Sequence, residues 1–218
     1  MNFIDLSHTI EDGMVTYKGL PTPIICDYYS RAASKQFYDE HTTFQIGKIE
    51  MVANTGTYID APFHRFENGK DIAGLELKSI AQLEGVVIPA IGHQQIDATY
   101  FKDYEVTGKA VLIQTNWSKH WGTDQYFENH AYLTKGAAEY LVEQKATLVG
   151  IDSYNIDDTC DGARPVHTVL LGAGIPIIEH LTNLDKIPNQ SFLFSAVPPK
   201  MKEMGSFPVR AYAFFEKN

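Results

Sequence analysis

The chain has 218 residues, and its 27 acidic and 18 basic side chains give a formal net charge of −9. Hydrophobic residues make up 44% and charged residues 21%, a composition that excludes a disordered or fibrous chain and is ample for a buried core. Because no run of lysine and arginine interrupts this acidic balance, neither nucleic acid nor an anionic membrane surface is an expected partner.

The sequence predicts a cytoplasmic protein. Its start, M-N-F-I-D-L-S-H-T-I, lacks the basic segment and apolar run of a signal peptide. No apolar stretch approaches the ~18 residues that a membrane-spanning helix needs. The two cysteines, Cys26 and Cys160, form no C-x-x-C pair, so free buried thiols are expected and a disulfide framework is not.

Short runs rich in β-branched and apolar residues recur along the chain and predict strands. They lie, in chain order, at 24–29, 44–52, 85–91, 110–115, 147–152, 175–179, 191–196 and 209–215. Several contain uninterrupted apolar runs, such as A-V-L-I and I-P-I-I, which is typical of strands covered on both faces.

Helices are predicted at fewer places. Segment 134–145 opens on a capping threonine and carries apolar residues at helical spacing. Segment 163–172 has Pro165 near its start and Gly172 near its end, the asymmetry that a short helix prefers. Shorter helical turns are predicted around 79–83 and 97–104. Since no repeat or linker interrupts the pattern, we expect residues 1–218 to form a single α/β domain with a mixed sheet and few helices.

The first candidate site lies in the run N-T-G-T-Y-I-D-A-P-F-H, which begins at Asn54 and places Asp60 and His64 four residues apart. Because Pro62 donates no ladder hydrogen bond, the run cannot continue as a central strand. Both polar side chains are therefore expected at a strand end or on the following loop, where they can converge on a cleft. A plain Asp-x-Pro turn with a surface histidine explains the same spacing.

The second candidate joins R-P-V-H to G-I-P-I-I-E and so brings in His167 and Glu179. His167 falls in the first turn of a predicted helix, and Glu179 closes a strand that otherwise reads as buried. A carboxylate there is costly unless it meets a metal, a cation or several hydrogen-bond donors. A salt bridge to Arg164 or Arg210 is the ordinary explanation.

A third group of carboxylates, in G-I-D-S-Y-N-I-D-D, follows the predicted strand at 147–152. The carboxyl ends of strands are common site positions in α/β sheets, but a capping or turn aspartate explains these residues equally well. The sequence contains neither a Gly-rich phosphate loop nor the G-x-S-x-G of a serine hydrolase.

Beside these patterns, the chain resembles the bacterial kynurenine formamidase and cyclase family of metal-dependent hydrolases. That family's signature is H-x-G-T-H-x-D-x-P-x-H, and the sequence here reads N-x-G-T-Y-x-D-x-P-x-H. The matching positions are Gly56, Thr57, Asp60, Pro62 and His64. The likeness extends along nearly the whole chain, through I-D-L-S-H-T-I, V-L-I-Q-T-N-W, G-I-D-S-Y-N-I-D, R-P-V-H-T-V-L-L-G-A-G-I-P-I-I-E and F-P-V-R-A. It implies the swivelling β/β/α fold of that family.

The resemblance also implies roles for individual residues. The family holds two metal ions, usually zinc or manganese, with histidines and shared carboxylates. By position, Asp60 and Glu179 correspond to the shared carboxylates and His167 to a histidine ligand. His64 corresponds to the acid/base that moves a proton, and Tyr17 to an aromatic side chain against the substrate. Family members assemble as homo-oligomers, so a dimer or tetramer is expected.

Two family ligands are replaced in this chain, because Asn54 and Tyr58 stand where the family has histidines. Imidazole is a good ligand for transition metals, whereas asparagine offers a neutral oxygen and tyrosine must first lose a proton with a pKa near ~10. The sequence therefore predicts a weakened first metal site and a single remaining ion. Tyr58 is then expected to donate a hydrogen bond to the substrate or to the developing oxyanion, and Asn54 to contact the substrate.

These observations predict a hydrolase of a small amide, imide, formamide or lactone that uses one zinc or manganese ion. Hydrolysis of N-formylkynurenine itself is disfavoured, because in the family that reaction uses the complete two-metal set. Two alternatives stay open. One is a metal-free cyclase, dehydratase or isomerase that uses acid/base chemistry, and the other is a small-molecule binding protein that has lost catalysis.

Overall fold

A computed structural model describes residues 2–39 and 41–216. Within these residues three α-helices accompany thirteen strands: α1 (Arg31–Ser34), α2 (Lys135–Glu143) and α3 (Pro165–Gly172). The strands are β1 (Asn2–Asp5), β2 (Ile24–Tyr29), β3 (Ile46–Glu50), β4 (Tyr58–Asp60), β5 (Leu83–Pro89), β6 (Gln95–Ile96), β7 (Ala110–Gln114), β8 (Tyr132–Leu133), β9 (Leu148–Ile151), β10 (Ile177–Glu179), β11 (Leu193–Ser195), β12 (Ser206–Pro208) and β13 (Tyr212–Phe215). The predicted α/β class, with a mixed sheet and few helices, is confirmed.

A nine-stranded sheet in the order β1-β13-β11-β5-β7-β9-β10-β4-β12 forms the centre of the protein. The strands β5, β7, β9 and β10 are parallel to one another. Antiparallel strands extend the sheet on both sides: β11, β13 and β1 on one side, β4 and β12 on the other. The functional side chains come mainly from the β10-β4-β12 side.

The sheet curls until its two ends lie near each other. β12 forms one end of the strand order and β13 is the second strand from the other end, yet only residues 209–211 separate them. A link of that length spans at most about 14 Å, so a flat sheet of nine strands cannot be connected in this way. Backbone hydrogen bonds along the link contact both sides, from Val209 to Thr57 and from Leu6 to Ala211.

Apolar side chains cover the sheet on both faces. On one face, Val111 and Ile113 of β7 pack in a core with residues of α2 and α3. On the other face, Ala110 and Leu112 of the same strand pack against residues of β4, β10 and β11. The uninterrupted apolar run in β7 is therefore explained by burial on both sides, as predicted from the sequence.

The observed elements differ from the predicted ones in length and in number. The strand predicted at 44–52 is the shorter β3, and the one predicted at 209–215 is β13 alone, since 209–211 form the link to β12. The predicted helices correspond to α2 and α3, and the turn predicted around 97–104 contains the short 3-10 helix Ala98–Phe101. The turn predicted around 79–83 is displaced, since the 3-10 helix there is Leu77–Ser79 and β5 begins at Leu83. The strands β1, β4, β6, β8 and β12 and the short helix α1 lie outside the predicted elements.

The strands β2 and β3 form a two-stranded ribbon outside the central sheet. Nearly every residue of this ribbon is exposed, including Cys26. Cys160, in the segment between β9 and α3, is exposed as well. The expectation of two buried thiols is thus wrong, because both cysteines lie on segments that leave the central core. Among the described helices none has the length and apolar character to cross a membrane.

Candidate active site

The strand β4 places Asp60 at the edge of a deep polar site. Asp60 is fully buried and lies opposite Ser206 in the register between β4 and β12. This pairing lets the Ser206 hydroxyl donate a short hydrogen bond to Asp60 Oδ1. Directly after β4, Pro62 opens a 3-10 turn that ends at His64, so the chain reverses beside the carboxylate. Asp60 therefore closes a strand and His64 lies on the following turn, as expected from the proline.

The contacts of Ser206 fix the protonation pattern of His64. Ser206 Oγ has one hydrogen, and that hydrogen is donated to Asp60. The oxygen must then accept from His64 Nδ1, which lies 3.0 Å away, so Nδ1 carries the proton. In the neutral ring this leaves His64 Nε2 with the lone pair, and 37% of the His64 side chain is exposed. This nitrogen can take a proton or bind a cation.

His167, in the first turn of α3, is oriented by Asp157. Asp157 accepts the backbone N–H groups of Val166 at 2.7 Å and His167 at 3.0 Å, and it lies 2.6 Å from His167 Nδ1. His167 Nε2 consequently points to the two buried carboxylates. Burial alone would lower the pKa of His167, but the hydrogen bond to Asp157 and the nearby carboxylates of Asp60 and Glu179 raise this pKa to about 10. The surroundings of Nε2 strongly favour positive charge.

Glu179, at the end of β10, is fully buried and surrounded by donors. Its carboxylate accepts the backbone N–H of Ile156 at 2.6 Å and the hydroxyls of Tyr17, at 3.1 Å, and Tyr58. Burial first, and then the nearby charge of Asp60, raise the pKa of Glu179 above its ordinary value. These donors, rather than an arginine, stabilise the carboxylate, so the salt bridge considered from the sequence does not form. Arg210 pairs with Asp5 instead.

Asp60 and His167 offer atoms that fit a metal ion, and Glu179 lies beside His167. Within the described part of the chain, Asp60 Oδ2 is a buried oxygen that no hydrogen-bond donor reaches. It lies 3.6 Å from His167 Nε2, which in turn lies 3.7 Å from Glu179 Oε1. Two ligands of one tetrahedral zinc, bonded at ~2.0–2.1 Å, are about 3.4 Å apart, so these separations suit a shared ion.

His64 approaches the same centre. Among the described residues, ligand atoms of Asp60, His64 and His167 all lie within 4.8 Å of one another, a set that does not include Glu179, so His64 offers the third ligand atom. Asp157, which holds His167 Nδ1, supplies the outer carboxylate that commonly orients a metal-binding histidine. A buried pair of carboxylates with an unpartnered oxygen is costly without a cation, and the donor set is of the type that zinc and manganese accept.

Tyr58 and Asn54 do not add ligands of histidine type to this centre. Burial and the charge of Glu179 raise the pKa of Tyr58 well above its ordinary value, so the side chain stays a phenol and acts as a donor. The Tyr58 hydroxyl donates to Glu179 because the two residues lie opposite each other in the register of the paired strands β4 and β10. Asn54 Nδ2 donates to Ser206 Oγ at 3.3 Å. Both residues therefore support the side chains that hold the carboxylates.

All seven residues predicted from the sequence are brought together in the structure. An open cavity of about 250 Å³ is lined by six of them, Tyr17, Asn54, Tyr58, His64, His167 and Glu179, and by Leu20, Arg65, Asn155 and Arg164. The seventh, Asp60, lies behind these side chains and contacts His64 and His167. The cavity is large enough for a small molecule only.

Three functional side chains were missed. Ser206 has no local pattern in common with Asp60, which lies 146 residues earlier in the chain. Asp157 and Asn155 belong to the third carboxylate group, but the sequence gives them no partner. In that group Asp152 is a capping aspartate, because it accepts the backbone N–H groups of Thr115 and Asn116. Among the three aspartates of this group, only Asp157 contacts a predicted site residue, His167.

Comparisons with known proteins agree with this architecture. The model of the family described as "Putative cyclase" matches residues 4–158. A kynurenine formamidase of Bacillus cereus is 27% identical over 213 residues, which are 96% of this chain and 95% of that protein. A kynurenine formamidase of Bacillus anthracis is 26% identical over the same shares of the two chains.

Solved structures share the fold. One described as a potential metal-dependent hydrolase with cyclase activity has a TM-score of 0.81 at 24% identity and covers 100% of this chain and 99% of its own. A predicted metal-dependent hydrolase from Bacillus stearothermophilus has a TM-score of 0.78 at 24% identity, with 98% of each chain covered. An isatin hydrolase bound to the product analogue thioisatinate has a TM-score of 0.82 at 21% identity, covering 99% and 92%.

Proposed function

The chain belongs to the putative cyclase family, and from this premise we propose that it is a metal-dependent hydrolase of a small amide, formamide, imide or lactone. Its relatives support this class of reaction, since formamidases and isatin hydrolase hydrolyse small amides. The observation that carries the proposal is the unpartnered, buried Asp60 Oδ2, which faces the Nε2 atom of His167. A substrate enters through the open cavity beside these atoms.

One divalent ion, zinc or manganese, would be held by Asp60, His167 and Glu179, and His64 lies beside it as the group that moves a proton. When bound, such an ion polarises a carbonyl group and lowers the pKa of a bound water. It also compensates the two buried negative charges, which explains why the fold tolerates them so far from bulk water.

The residues of the chain orient the reactants and move the proton. His64 takes a proton on Nε2 and passes it to the leaving group, since Ser206 holds its other nitrogen as the donor. Tyr58 keeps Glu179 in place through its phenol hydrogen, and Tyr17 adds a second donor to the same carboxylate. The further role predicted for Tyr58, as a donor to the developing oxyanion, needs that hydrogen to leave Glu179. Tyr17 and Asn54 line the space for the substrate.

The alternatives from the sequence make different use of the same site. A metal-free cyclase or isomerase leaves Asp60 Oδ2 without a hydrogen bond, with only the ring of His167 as a possible cation 3.6 Å away, which compensates a buried carboxylate less well than a bound ion. A binding protein without catalysis needs neither the proton arrangement of His64 nor the convergence on His167. These features favour the hydrolase.

The experiment is a measurement of bound metal followed by an assay for hydrolysis. We expect purified protein to bind one zinc or manganese ion per chain in elemental analysis and calorimetry, and Asp60→Asn to lower the affinity about 100-fold or more, because a ligand charge is lost. Asp185→Asn, on a short turn away from the site, is the matched control. Turnover of formamides, imides and lactones should depend on the added ion. Absence of tight or activating metal contradicts the proposal.

The same measurement tests the number of ions. The double change Asn54→His with Tyr58→His restores the histidines of the family signature, so a second ion is expected to bind. A second ion already present in the unchanged protein would show that Asn54 and Tyr58 do not limit the site to one.

Assembly and location complete the proposal. The chain forms a homo-oligomer, which the exposed apolar side chains of the β2–β3 ribbon support because a second copy would remove them from water. A single domain spanning residues 1–218 and a cytoplasmic location, both expected from the sequence, belong to the same proposal.

A further inference from the structure

The guanidinium of Arg164 lies at the cavity and contacts the network that surrounds Glu179. Its Nη1 atom is 3.4 Å from Asn155 Oδ1. The amide nitrogen of the same Asn155 is 3.4 Å from Glu179 Oε2 and 3.0 Å from the Tyr17 hydroxyl. One side chain therefore separates Arg164 from the carboxylate that we assign to the metal centre.

The contacts of Arg164 leave most of its donors free. Besides Asn155, Nη1 reaches only the backbone carbonyl of Asp158, also at 3.4 Å, and both acceptors are neutral. Across residues 2–39 and 41–216, no carboxylate lies within ion-pairing distance of this guanidinium. Arg210, by contrast, donates two hydrogen bonds to Asp5. A half-buried guanidinium with planar, forked donors and no anionic partner is well suited to donate hydrogen bonds to a bound carboxylate.

The backbone holds Arg164 in a defined position. Its φ of 47° and ψ of 59° are left-handed, which is uncommon for a residue other than glycine, and Pro165 follows directly. Arg65 fixes the preceding residue, since its Nη2 donates to the Ala163 carbonyl at 2.7 Å and its Nε to Thr168 Oγ1 at 3.1 Å. Arg65 thus acts as a positioning residue for the start of α3.

Arg164 makes no ion pair of its own in the site. A divalent ion would balance Asp60 and Glu179, and Asp157 is taken up by His167 and the start of α3, so the guanidinium still has donors free for an anionic ligand. The N-terminus of α3 does not compete for an anion, because Asp157 already accepts its N–H groups from Val166 and His167.

We propose that Arg164 binds a carboxylate carried by the substrate, so that this enzyme selects anionic amides over neutral ones. The inference rests on the proposed hydrolase function and names its substrate class. The carboxylate sits on the α3 side of the cavity, and the bond to be cleaved lies toward Asp60 and His167. Bidentate binding to the guanidinium fixes the distance between the substrate carboxylate and the bond to be cleaved.

The test compares matched substrates with and without a carboxylate. Formanilide is assayed beside 2-formamidobenzoate and 3-formamidobenzoate, using the metal-loaded enzyme and Arg164→Asn. Asparagine accepts a left-handed backbone, so this variant keeps the conformation of the chain while it removes the guanidinium. We expect the unchanged enzyme to prefer a formamidobenzoate. The preference, as a ratio of kcat/KM values, should fall about 10- to 100-fold in the variant, because a charge-assisted pair is lost.

Binding measurements separate this inference from the proposed function. Benzoate and propionate are titrated against benzamide and propionamide, with thermal unfolding to verify the fold of each protein. If the carboxylates bind more tightly than the amides, and this difference disappears in Arg164→Asn, the inference is supported. This holds even when the protein hydrolyses no amide, since that result contradicts only the proposed hydrolase function. Arg210→Asn should keep the preference of the unchanged protein. Carboxylate binding or preference that is absent, or that survives in Arg164→Asn, overturns the inference.

Discussion

At the scale of single residues, His8 shows how burial makes the protein sensitive to acid. Its ring stacks on Trp121, with 3.9 Å between the ring centroids, and its Nε2 atom is buried without a hydrogen-bond partner among the described residues. Burial lowers the pKa of His8 to about 4, from 6.5 in the unfolded chain. The unfolded state therefore binds more protons than the folded state between these values. The contribution to stability is present above pH 6.5 and is lost as the pH falls toward 4.

We predict that His8→Phe weakens this pH dependence. Phenylalanine keeps an aromatic ring on Trp121 but cannot be protonated, so the loss of unfolding free energy between pH 7 and pH 4.5 should shrink by roughly 1–2 kcal/mol. Urea unfolding at the two pH values measures the difference. His93→Phe, at an exposed position, should leave the dependence as it was. An identical loss in His8→Phe and the unchanged protein would contradict the assignment.

The residue scale also shows what the sequence could reveal about the site. Asp60, His64, His167 and Glu179 were candidates from local patterns, in which a plain structural explanation also stayed open. The family resemblance then assigned their roles and added Tyr17, Asn54 and Tyr58. The residues that orient them were not found. Ser206 meets Asp60 only through strand pairing between distant segments, and such pairing leaves no local spacing to read.

At the scale of elements, the strands β4 and β12 explain why the prediction of the fold was incomplete. Each strand has only three residues and shows no clear alternation of apolar and polar side chains, and β4 ends at the proline-containing turn. Their strand structure comes from pairing with each other and with β10, not from local propensity. The longer apolar strands β7 and β9 were predicted because strands buried on both faces have a continuous run of apolar residues in the sequence.

A tight contact between two of these elements gives a second prediction. A Cβ atom on Gly205, just before β12, would lie 2.6 Å from the Cα and 2.8 Å from the N of His64. Gly205→Ala should therefore displace the 3-10 turn, lower the unfolding free energy by about 1–3 kcal/mol and reduce turnover. Gly162→Ala, where no atom lies within 4 Å, is the control and should be close to neutral. Equal stability of the two variants would refute this close packing.

At the scale of the whole molecule, the β2–β3 ribbon exposes apolar side chains that a second protein chain could cover. Ile25 and Ile49 are directly paired across its strands, and both are exposed, Ile49 by 60%. Cross-strand apolar pairs of this kind on a surface ribbon are typical of an interface between protein chains. The sequence predicted an oligomer from family resemblance alone, and did not indicate which surface would form it.

We predict that Ile49→Lys shifts the protein to a smaller species in analytical ultracentrifugation, because burying an unpaired ammonium in an apolar interface is costly. Leu77→Lys is the matched control, since Leu77 is exposed by 65% but lies away from the ribbon. It should leave the sedimentation coefficient unchanged. If both variants sediment like the unchanged protein, the ribbon is not the interface.

The curl of the sheet has a consequence for how the protein folds. Residues at the beginning of the chain pair with residues 212–215, and Asp60 acquires its partner Ser206 only when β12 is in place. Neither edge of the sheet, nor the active site, is complete before nearly the whole chain has left the ribosome. Pairing so distant in sequence must overcome a large loop-closure entropy first. We therefore expect slow, late folding in which strand edges stay uncovered until the final segment arrives.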